Sequence, residues 1–158
     1  MAVDFASFVT EIEGVLSAQW TDIQHANTGG GIFEVDQIQR IDFERIDTSP
    51  YAVVEWNSVS PSDRFLEAES YEVTLTLHRA QKITAFAAPG GIGAVRDKIV
   101  ALSSWFMNAN NNLTSADLLD VSEIDVSDDH PANAVFIAKG MPWVAGSLSI
   151  RCLLTAGS

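Results

Sequence analysis

The chain predicts an α+β domain: a mostly antiparallel sheet of four to five strands with two helices packed on one face. Three observations predict it. Two segments repeat apolar residues every three or four positions, the pattern of a helix with one buried side. At least two segments alternate apolar and polar residues, as a strand with one buried face does. The order is helix, two strands, helix, two or three strands, and such elements close most economically as two layers.

Each element can be justified in turn. From Asp4 to Trp20, Phe5, Phe8, Val9, Ile12, Val15, Leu16 and Trp20 form one helical stripe, opposite Ser7, Glu11, Glu13, Ser17 and Gln19. Asn27 to Gly31 reads as a flexible turn. From Ile32 to Asp47 two periods compete: Ile41 and Phe43 alternate, while Val35, Ile38 and Ile41 step like a helix. The segment is expected to be extended. Pro50 opens the strand PYAVVEW, with Ala52, Val54 and Trp56 on one face and Tyr51 and Val53 on the other. An exposed loop is expected over SVSPSDRF, Ser58 onward.

SYEVTLTLHRA, Ser70 to Ala80, is the clearest strand: Tyr71, Val73, Leu75 and Leu77 point one way, and Glu72, Thr74, Thr76 and His78 the other. It should form a long-looped hairpin with PYAVVEW. Ile92, Val95, Ile99, Leu102 and Phe106 mark the second helix, which the asparagines after Met107 end. Weak strand character follows near Val121 to Val126. The acidic turn SDDHP leads to AVFIAKGM, Ala134 to Met141, expected as a strand. In WVAGSLSIRCLLT, Val144, Leu148, Ile150, Cys152 and Leu154 face in; Trp143, Ala145, Ser147, Ser149 and Arg151 face out.

The 158 residues fit a single domain, 1–158. At this size roughly 68–70% of the unfolded surface is buried on folding, so the core needs no staple. A content of 47% hydrophobic and 19% charged residues is that of a globular protein. One cysteine, Cys152, excludes an internal disulfide framework and suits a reducing compartment. The net charge is -12, with nine scattered basic residues, so the footprint for nucleic-acid or anionic-membrane binding is missing. The N-terminal MAVDFASFVTEIE carries acids where a signal peptide carries bases, and no apolar run reaches membrane-spanning length; a cytosolic setting is expected.

Specific chemistry is thinly signalled, and no catalytic, cofactor-binding or metal-binding residue is assigned. Gly90-Gly91-Ile92-Gly93 opens the second helix as phosphate-binding loops do. Ala94, Val95 and Arg96 then stand where a P-loop needs its lysine and hydroxyl, and only half a dinucleotide fingerprint is present. Pro89-Gly90-Gly91 reads as a turn. His25, His78 and His130 lack metal-ligand spacing, and SDDHP lacks the pattern of a calcium loop. Cys152 falls on an apolar face, as a buried, inert thiol would. Trp20, Trp56 and Trp105 are core candidates; Trp143, on an outer face after Pro142, is a candidate partner contact.

With the elements in order, the chain resembles the tail terminator (tail-completion) proteins of long-tailed bacteriophages. The likeness runs from Asp4 to Leu154 and rests on element order, size and the local stretches PYAVVEW, YEVTLTLHRA and GSLSI, Gly146 to Ile150. The segment from Gly31 to Asp47 and the acidic loop around Asp128 lie outside it. The resemblance implies an α+β fold with helices on one side of a sheet and no catalysis. It implies a hexameric ring on the head-proximal end of the tail tube, which ends tube polymerisation and joins the tail to the head or neck. The partners implied are other copies of the chain, the tail tube protein and a head-completion or neck protein, in a virion assembled in a bacterial cytoplasm. Polar strand faces and the loops Ser58–Arg64 and Ser127–Asn133 are candidate ring contacts. An acidic lumen would let DNA pass without sticking. Two other classes stay open: another head–tail connector, and a small enzyme or ligand-binding domain whose first residues to inspect are His78, Arg79 and Glu72.

Overall fold

A computed structural model describes residues 3–23, 33–36, 51–62, 69–82, 92–108, 113–126 and 143–156. The chain runs α1 (Phe5–Gln19), β1 (Phe33–Asp36), β2 (Tyr51–Pro61), β3 (Ser70–Lys82), α2 (Ile92–Phe106), β4 (Asp117–Asp125) and β5 (Trp143–Thr155). The sheet order is β1-β2-β3-β5-β4. β2, β3, β5 and β4 are antiparallel neighbours, and the four-residue β1 joins β2 in parallel.

The α+β class and the helices on one face stand as expected. Period two sends Val73, Leu75 and Leu77 of β3 and Leu148, Ile150 and Cys152 of β5 to one side, where all are fully buried. The α1 residues Phe8, Ile12 and Leu16 and the α2 residues Val95, Ile99, Leu102 and Phe106 join the same core. α1 lies over the β2–β3 half: Phe5 and Phe8 meet Trp56 edge-on at 6.3 and 6.0 Å, and Phe5 meets Tyr71 at 5.5 Å. α2 lies toward β5 and β4. The Trp20 indole N–H donates to the Lys98 carbonyl at 3.1 Å and ties the end of α1 to α2.

Local chemistry explains the boundaries. Asp4 caps α1, its carboxylate accepting from the Ser7 N–H at 3.0 Å and the Ser7 hydroxyl at 2.6 Å. The loop expected from Ser58 is corrected: β2 continues to Pro61. A register irregularity between Trp56 and Ser58 inserts Asn57, so Trp56 and Val59 both keep to the core side, Val59 opposite Val73. The strand near Val121 begins earlier, at Asp117, and carries two register irregularities of its own. The expected strand Ala134–Met141, the loop Ser127–Asn133, the turn at Asn27–Gly31, the turn at Pro89–Gly91 and most of Ile32–Asp47 lie outside the described residues.

Gly146 of β5 lies close against Val126 and against Val95 of α2. A Cβ there would stand 2.8 Å from Val126 Cγ2, 3.1 Å from Val95 Cγ1 and 3.3 Å from the Asp125 carbonyl oxygen. Gly14, mid-α1, has nothing within 4 Å of its Cβ direction. Two alanine substitutions should therefore act oppositely in thermal melts. Gly146→Ala is expected to destabilise by about 1–3 kcal/mol through overpacking, and Gly14→Ala to stabilise by about 0.5–1 kcal/mol through helix propensity.

Candidate functional site

The sheet face away from the helices gathers polar side chains into connected groups. On β2 and β3, Glu55 Oε1 lies 3.3 Å from His78 Nε2. Asn57 donates to Glu55 at 3.1 Å and accepts from the Thr76 hydroxyl at 2.5 Å; Thr76 in turn lies 3.0 Å from the Ser149 hydroxyl of β5. Further along, Arg151 holds its cross-strand neighbour Asp120 with both ends of its fork, at 3.1 and 2.7 Å, and reaches Glu72 at 3.9 Å. These groups link the polar side chains of four strands into a connected network on this face.

The three residues singled out for an enzymatic reading do not converge. Glu72 and His78 share this face but stand six residues apart on one strand, about 20 Å. Arg79, next in sequence to His78, necessarily points to the other face. There it is 1% exposed, and its guanidinium pairs with the Asp22 carboxylate, donates to Gln81 at 3.0 Å and lies 5.4 Å over the Trp20 ring. Asp22, on the turn after α1, is 44% exposed. Burial pushes its carboxyl up, but the hydrogen bond and charge of Arg79 outweigh this and hold it below its ordinary value. Arg79 thus anchors the end of α1 rather than facing a substrate.

A second tether could not be read from the sequence. Glu11 of α1 accepts from the backbone N–H groups of Thr114 and Ser115, at 2.8 and 2.9 Å, and from both hydroxyls, at 2.8 and 2.5 Å. Burial raises its carboxyl; the hydrogen bonds from Ser115 and Thr114 together overcome this and leave it lowered. Its partners lie 103 and 104 residues away, beyond any local motif.

Cys152 is fully buried, and burial, with Glu11, Asp117 and Asp120 nearby, pushes its thiol up to about 12. That is the inert thiol expected. Trp20 and Trp56 are buried and Trp105 packs against the core. The strand carrying Trp143 is described but its side chain is not; His25 and His130 also lie outside. Among the described residues, no group of histidine, cysteine and carboxylate side chains is arranged to hold a metal ion. No protein-family model matches the chain, and no curated protein matches it in sequence.

Two outcomes follow. Glu11 and Asp22 are ionised in the fold below their ordinary values of 4.5 and 3.8, so the unfolded chain binds more protons there. Their contribution is complete above those values and is lost as the pH falls beneath them. Glu11→Gln should lower stability at neutral pH by about 1–3 kcal/mol and flatten the acid limb of stability measured by urea titration. Cys152 should resist thiol reagents in the native protein and react fully in denaturant, read by absorbance.

Proposed function

We propose that this protein is a structural assembly subunit of the tail-terminator type, closing into a hexameric ring on the head-proximal end of a phage tail tube. There it ends tube polymerisation and joins the tail to the head or neck. The observation that carries this reading is the confinement of both helices to one face of a mostly antiparallel sheet, the architecture that the sequence resemblance implies. The opposite face carries a connected polar network beside buried Val53, Ala80, Ala145 and Leu153, and a ring needs two different patches that meet between neighbours. The separation of His78, Arg79 and Glu72 removes the support that the enzymatic reading drew from them.

The charge of -12 bears on the lumen. Carboxylates facing a central channel would repel DNA phosphates, so a genome could pass without adhering. No helix among the described residues is long and apolar enough to cross a membrane. The other assembly reading, a connector on the portal side, shares these features and differs in its partner.

Negative-stain imaging of the purified protein with its tail tubes tests the proposal. Closed rings, or caps at one tube end, are expected, together with retention of the protein by tubes in a pull-down. Bare tube ends beside a protein that stays monomeric would sink it, and retention by the portal instead would favour the connector. A basic lumen in the assembled ring would refute the DNA-passage argument alone.

A further inference from the structure

We draw no further inference here: the strongest candidate, the exposed apolar strip of Val100, Met107 and Ile124 along the α2–β4 flank beside the buried Ser103 hydroxyl, carries nothing because nothing in the structure shows what covers it.

Discussion

The whole arrangement depends on the alternation of a single strand. β3 pairs along its length with β2 on one side and β5 on the other. Its odd-numbered residues from Val73 to Arg79 are therefore committed to the helix layer and its even-numbered residues to the opposite surface. A one-residue slip of register would exchange the two sets, placing Thr74, Thr76 and His78 under the helices and three fully buried apolar side chains among the polar network of the other face. The apolar loss alone would be about 1.5–3 kcal/mol per side chain, so the register is strongly specified. The neighbours obey the same division, and the core cluster and the polar network are its two products.

Alternation also delivers a charge to the wrong layer. Arg79 is in phase with Leu77 and must enter the helix side, where an unpaired guanidinium would be costly. The molecule meets this at the rim: Asp22, Gln81 and the face of Trp20 converge on it. The end of α1 is thereby placed by the need to neutralise a strand residue. Glu11 does the corresponding work one face away, where a single carboxylate satisfies two backbone N–H groups and two hydroxyls at the entrance to β4. Both tethers act between elements, so α1 owes its position as much to electrostatics as to its apolar stripe.

This explains which parts of the fold could be read in advance. α1, α2, β3 and β5 carry long, uninterrupted periods, and their limits fall where the periodicity stops. The end of β2 was hidden because the inserted Asn57 breaks the alternation and hydroxyl residues replace apolar ones on the exposed side. β4 was faint because two irregularities and four acids interrupt its alternation. The polar face was legible as a face but not as a network: the pairing of Arg151 with Asp120 depends on which strands are neighbours, and β5–β4 adjacency is a property of topology. Burial of Arg79 was concealed for a related reason, since its partner Asp22 lies 57 residues away on a different element.

The place of β5 carries one more consequence, for the order in which the molecule can be made. It follows every other described strand in the chain, yet it sits between β3 and β4 and is paired on both sides. As the chain leaves the ribosome, β3 must wait with one flank open, and β4 has no neighbour among the described strands until β5 arrives. Closure is therefore a late and non-local event, of the kind that slows folding and leaves strand edges exposed in the meantime. Nascent chains crowded on one message would meet while those edges are unsealed.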